Sequence, residues 1–149
     1  MITKPFNRLQ GFTLVELITV IIIVSILSIV GASKFLGNST FKDSQVHQEL
    51  LSAFRFAQKI AIASQCPVTI TLSSNSYKLS YSSPCSGNVK HPADQNVYSE
   101  TGLPATISSS SNTFSYDASG NLNPATGGII NIGNFSITLE AVTGFAHEQ

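Results

Sequence analysis

Charge is scarce in this chain: eight basic and eight acidic residues stand among 149, and only 11% of positions are charged. An average soluble domain carries roughly 25%. The formal net charge is zero, so no global field draws in nucleic acid or anionic lipid. Proline is absent between Pro5 and Pro67, which leaves a long stretch without the strongest helix breaker. No repeat of solenoid length occurs. The three histidines, His47, His91 and His147, are scattered and never form His-Glu-x-x-His. Ser108–Ser111 lacks a nucleophile elbow, and Asp94, Glu100 and Asp117 do not make an EF-hand loop. No cofactor, no metal site and no enzymatic activity are therefore expected, and a secreted hydrolase finds little support. Cysteine occurs only as Cys66 and Cys85. Their spacing is not Cys-x-x-Cys, which argues against a redox-active pair. A disulfide is the reading if they lie outside the cytoplasm, and two free thiols if they do not. Cys85 with His91 as half of a metal site would compete with the disulfide for the same thiol.

What the chain does have is an uneven distribution of apolar residues. A length of 149 fits one domain, yet apolar side chains crowd towards the N-terminus. Residues 1–11 are polar and carry Lys4 and Arg8 without an acid, which places them on the cytoplasmic side by the positive-inside tendency. From Phe12 to Val30 the chain is almost continuously apolar, and a bilayer core takes about 20 such residues as a helix. Lys34 is placed to reach the far interface. Glu16 is the anomaly, because a carboxylate inside such a run costs a few kcal/mol and usually has a functional partner. Its bland reading is a residue near enough to the surface to stay wet. An ordinary secretory signal is the competing reading of the segment, with Gly31, Ala32 and Ser33 offering a cleavage site and a mature chain starting about Lys34. Glu16 and the length of the apolar run stand against it.

Gly11-Phe12-Thr13-Leu14-Val15-Glu16-Leu17-Ile18 resembles the processing motif of the type IV pilin superfamily. The resemblance implies cleavage after Gly11 by a prepilin peptidase, N-methylation of Phe12, and a role for Glu16 in assembly. Cleavage would create an amine on Phe12 that Glu16 of a neighbouring subunit can pair with. Breaking a buried pair of that kind costs about 3–5 kcal/mol. The implied organisation is a leader at 1–11, a transmembrane and filament-core helix at 12–35, and a periplasmic head at 36–149.

Val46, Leu50, Ala53, Phe54, Ala57, Ile60 and Ala61 recur at spacings of three and four, as on an amphipathic helix. The simplest expectation is one helix from about Phe12 to about Ser64, roughly 80 Å long at 1.5 Å per residue, softest at Gly37-Asn38-Ser39-Thr40 and at Gly31. His47 falls among its polar positions and is expected to be solvated. After Gln65 the period becomes two. Val68–Leu72 and Tyr77–Tyr81 predict a hairpin turning at Ser74-Asn75-Ser76. Cys66 and Cys85 bracket its open end, where a disulfide would close a loop worth about 3 kcal/mol. Residues 86–104 read as a loop with a short strand near Val97. Further strands are expected at Ala105–Ser108, Thr113–Tyr116, Gly128–Ile132 and Phe135–Val142, with a strong turn at Asp117–Asn121. The expected fold is α+β and pilin-like: a long N-terminal helix, its second half at about 40–64, packed on one antiparallel sheet of six or seven strands over about 67–146.

Three features of the head are similar to the H-type pseudopilins and FimT-like minor pilins. They are the Leu51–Gln58 run leading to Pro67-Val68-Thr69, Phe114 ahead of Gly120, and the Thr143-Gly144 turn. The chain also resembles minor pilins of mannose-sensitive haemagglutinin-type pili. The resemblance implies a minor pilin subunit that takes part in assembling a type IV pilus, single-pass in a bacterial inner membrane with its head periplasmic. Its partners would be other pilin and minor pilin subunits, the prepilin peptidase and the inner-membrane assembly platform. A type II secretion pseudopilin is the alternative. A DNA-uptake subunit is an alternative of another class, but the segment after Gly11 carries six bases against eight acids and no basic tail. No nucleic acid partner is expected.

Overall fold

The computed structural model describes residues 12–35, 39–125 and 127–149, with side chains of the first segment described as far as residue 28. The expected leader at 1–11 and the soft spot at Gly37-Asn38 lie outside the described residues, as does the continuity of one helix across 36–38. The chain divides into two compact units, Met1–Asn38 and Ser39–Gln149. In the first, helix α1 spans Leu14–Phe35, 22 residues, about 33 Å at 1.5 Å per residue. Among the described residues no helix is long and apolar enough to cross a membrane; the stretch expected to do so continues past residue 28.

In the second unit, helix α2 spans Ser39–Ser64, so Ser39 and Thr40 are helical. Eight strands follow: β1 Val68–Ser73, β2 Ser76–Tyr81, β3 Ser99–Thr101, β4 Ile107–Ser109, β5 Thr113–Tyr116, β6 Gly128–Ile132, β7 Phe135–Leu139 and β8 Ala146–Glu148. They form two four-stranded sheets, not one, in the orders β3-β2-β1-β5 and β4-β6-β7-β8. All named pairs are antiparallel. The hairpin β1–β2 pairs Val68 with Tyr81 and Ser73 with Ser76, leaving Ser74-Asn75 as a two-residue turn. The strand expected to reach Val142 stops at Leu139, and β8 was not foreseen. Glu140 to Gly144 fold back instead, with Gly144 N–H donating to the Glu140 carbonyl (3.0 Å), and bring β8 alongside β7.

Helix α2 packs against strands of both sheets, and this decides which of its residues are buried. Leu50, Ala53, Phe54, Ala57 and Ala61 are fully enclosed, as their spacing predicts. The alanines let the strands approach closely, while Phe54 meets Phe114 of β5 edge-on with ring centroids 5.7 Å apart. Two sheets take a wider arc of helix than one would, so Leu51 and His47 are buried as well. His47 corrects the solvated reading. It is 2% exposed, its ring lies 5.3 Å from that of Phe135, and its Nε2 is 3.3 Å from the Ser136 carbonyl. Its Nδ1 has no partner among the described residues.

The helix ends without glycine. Gln65 takes the left-handed conformation (φ 55°), and its own side-chain amide donates to the Ile62 carbonyl at 2.9 Å. The turn lets Cys66 and Pro67 lead into β1. Across the helix, Gln58 ties the two sheets' loops together. Its Nε2 donates to the Gly120 carbonyl at 2.8 Å and to the Thr143 carbonyl at 2.7 Å. Beside it, the Tyr116 hydroxyl donates to the Gly144 carbonyl at 2.9 Å in a buried bond. Gly144 has φ +66°, and a Cβ there would run into the Tyr116 ring at 2.6 Å, so only glycine fits. Replacing Gln58 with Met, which keeps length and removes both donors, is expected to cost about 1–3 kcal/mol, chiefly by leaving the Gly120 carbonyl of the part-buried bond unpartnered. Denaturant unfolding of wild type and variant, at matched slope, measures the difference.

Candidate functional site

Of the residues marked for processing and assembly, Gly11 lies outside the described residues, while Phe12 and Glu16 lie within them. The sequence Thr13-x-x-Glu16 is a capping pattern, and half of it forms. Thr13 Oγ1 accepts the Glu16 N–H at 3.2 Å, and the Thr13 carbonyl accepts the Leu17 N–H at 3.2 Å. That starts the helix immediately after Phe12, which is 81% exposed. The Glu16 carboxylate makes no return bond among the described residues, and no cation there pairs with it.

The rest of α1 sharpens the contrast. Every apolar side chain from Leu14 to Leu27 is exposed around the full helix circumference, which is the pattern of a helix meant to be covered on all sides. Its hydroxyls are satisfied internally. Thr19 Oγ1 donates to the Glu16 carbonyl at 2.9 Å, Ser25 Oγ to Ile21 at 2.6 Å and Ser28 Oγ to Val24 at 2.7 Å. Back-bonding of this kind removes the polar cost of Ser and Thr on an apolar helix. Glu16 is thus the only side chain from 12 to 28 whose polar group lacks a described partner.

In the head, Cys66 and Cys85 are joined, with Cα atoms 5.8 Å apart and a sequence separation of 19. The bond ties the loop after β2 to the end of α2. That loop is laced back onto its own sheet: Tyr98 N–H donates to the Val89 carbonyl (2.7 Å) and Leu79 N–H to the Tyr98 carbonyl (2.9 Å). Tyr98 is thereby held against α2. Its ring stacks on Phe56 at 5.1 Å. Beside it, the Tyr77 hydroxyl donates to Glu49 Oε1 at 2.7 Å. Burial, the hydrogen bond to Glu49 and the charge of that carboxylate push the Tyr77 phenol well above its ordinary value. Burial also raises Tyr98, against the bond from Ser52. Tyr116 is raised by burial alone. Among the described residues no group of His, Cys, Asp and Glu could hold a metal ion. His91 and Asp94 approach to 3.5 Å on the surface, and Cys85 belongs to the disulfide.

Sequence reasoning missed Gln58 and the buried face of His47. The only signal for Gln58 was an amide set between Ala57 and Ala61, inside the apolar arc.

A bare apolar helix opening on Phe12 and an unpartnered Glu16, followed by a disulfide-pinned head of one helix on antiparallel sheets, define the type IV pilin superfamily. Residues 7–32 match the prokaryotic N-terminal methylation motif. Residues 47–145, well over half of the chain, match the family described as type II transport protein GspH, and the chain belongs to that family. A search of the curated proteins finds no match. The fold is similar to crystal structures of the type IV minor pilin FimU of Pseudomonas aeruginosa. One, in space group P65, gives a TM-score of 0.54 at 16% identity over 71% of this chain and 91% of that one. Another, in space group P21, gives 0.54 at 15% identity over 71% and 87%.

The raised phenols set an alkaline limit. An unfolded tyrosine ionises near its ordinary value of 10.0, whereas Tyr77 and Tyr116 stay protonated in the folded chain beyond it. Above about pH 10 the folded state therefore holds more protons, and stability falls as pH rises. Tyr77→Phe and Tyr116→Phe should each flatten that fall, read as unfolding midpoint against pH. An unchanged slope in both would refute the assignment.

Proposed function

We propose that this chain is a minor pilin subunit, processed after Gly11, methylated at Phe12 and built into a type IV pilus-like filament through Glu16. The observation that carries the reading is the solitary carboxylate. From 12 to 28 the helix around it satisfies its own hydroxyls, is otherwise apolar and gives Glu16 no described cation. An amine freed on Phe12 of an adjoining subunit would supply one. Attraction between the two is strong in a low-dielectric core, and an unpaired charge there is heavily penalised. The pairing sets register along the filament even where its net stabilisation is small.

On this reading the segment at 12–35 anchors the subunit in the inner membrane before assembly, with the head periplasmic. The oxidised Cys66–Cys85 pair suits an oxidising compartment. Other pilin subunits, the prepilin peptidase and the assembly platform are its partners, and it performs no catalysis. A type II secretion pseudopilin is the second reading, favoured by the description of the family that residues 47–145 match. The two share the N-terminal chemistry and differ in the filament that takes up the chain.

Mass spectrometry of the N-terminal peptide from protein purified from the membrane tests the common core. A methylated Phe12 is expected, and a mature chain starting elsewhere ends the filament reading. Gly11→Ser is expected to leave the leader attached. Glu16→Val should still be cleaved but appear in sheared filaments at a small fraction of the wild-type level; incorporation at the wild-type level would remove the pairing argument.

A further inference from the structure

Two clefts open on the outward side of α2, one on each side of Phe56. The first, about 370 Å³, runs between Ser52, Arg55 and Lys59 of the helix and Tyr98. The second, about 470 Å³, lies between Ile60 of the helix and Tyr81, Lys90 and Pro92. Phe56 walls both. Its ring lies 22° from parallel with Tyr98, and His91 backs Tyr98 with ring centroids 4.8 Å apart. The disulfide and the strand-like bonds of the loop hold this aromatic wall in place.

The charged side chains that line the two clefts are all cations, Arg55, Lys59 and Lys90. Among the described residues no carboxylate lines either cleft. Lys59 and Lys90 take part in no ion pair there. Arg55 is oriented by donating Nε to the Ala146 carbonyl at 3.2 Å and by lying over the Phe145 ring at 5.9 Å. Four of the chain's acids already have donors of their own. Glu49 accepts from Tyr77, Glu148 accepts from Gln48, and Asp117 caps its own turn. Asp94, on the loop that carries Lys90, is bound to Asn96. All Lys and Arg of the chain stand at or before Lys90, and residues 91–149 hold acids alone. Among the described residues no carboxylate pairs with the cations beside Phe56.

We propose that this double cleft docks an acidic segment of a partner subunit, with an apolar side chain seated against Phe56 and carboxylates reaching Arg55, Lys59 and Lys90. Arg55 and Lys59 are four apart on one helix face, about 5–6 Å between Cβ atoms, which matches two carboxylates a helical turn apart. An apolar wall recessed between cations suits an inserted side chain. A nucleic acid backbone would need many more phosphate contacts for useful affinity. The partner's identity as a subunit rests on the assembly reading; the recognition chemistry does not.

The test uses the full chain in detergent micelles and a fluorescein-labelled helical peptide bearing Glu at i and i+4 around a central Leu. Saturable binding is expected, weakened at least about tenfold in Lys59→Glu/Lys90→Glu and in Phe56→Ala. Both lysines are exposed, so the double charge reversal should keep the wild-type unfolding midpoint and serves as the folding-neutral arm. A peptide with Gln in place of Glu should not bind. No binding of the acidic peptide, binding indifferent to the double reversal, or equal binding of a single-stranded DNA of matched charge would each overturn the proposal. A mature chain that does not start at Phe12 would sink the assembly reading while leaving the peptide measurement standing.

Discussion

The enclosure of one helix by two sheets governs the head. Leu50, Ala53, Phe54, Ala57 and Ala61 have no exposed surface, and they reach it by facing strands from both sides. Everything else in the unit is arranged by that enclosure. It draws His47 and Leu51 inward, sets Gln58 between two loops that belong to different sheets, and leaves a narrow outward stripe where Arg55 and Lys59 stand. A single sheet would have buried a narrower arc and left His47 wet. The tight part of the interface is made by small residues, so the specificity of docking falls on the few large ones, Phe54 and Leu50 above all. Alanine at 53, 57 and 61 allows backbone approach that a larger side chain would forbid.

Much of this was legible beforehand, and the limits have physical causes. Period-two alternation placed β1 and β2 within a residue, because each has one face in the core and one outside, and the strands expected at 113–116 and 128–132 are β5 and β6. The heptad-like spacing of α2 identified its central core residues. What could not be read was the division into two sheets, since alternation tells which side of a strand is buried but not which sheet it joins. The end of β7 and the existence of β8 were obscured for another reason. Residues 140–142 still look strand-like, and only the reversal at Gly144, enforced by Tyr116, cuts the strand short. The disulfide was expected only for an oxidising compartment, with the hairpin bringing its two cysteines together, and the bond is formed. His47 was misread because a histidine flanked by Val46 and Gln48 has no sequence mark that separates a lined interior from a wet surface.

The N-terminal unit was legible in a different way. There the sequence carries a short motif, and the local structure adds what the motif cannot state: the half-made cap at Thr13 starts the helix without using the Glu16 carboxylate. The GspH family match to the head and the methylation-motif match fall on different units of the chain. Two independent parts of the polypeptide therefore point to the same superfamily, although the likeness to FimU at 16% identity speaks for the architecture alone.

The hydroxyls of Thr19, Ser25 and Ser28, each bonded to a carbonyl of the same helix, need no hydrogen-bond partner from the surroundings. Those bonds travel with the helix, so passing from one oily medium to another requires no exchange of hydrogen-bond partners along its length. Among the described side chains, Glu16 is then the one polar group that such a change of medium leaves without a partner in the helix. The other described side chains from 12 to 28 are apolar or bring their own hydrogen bonds with them.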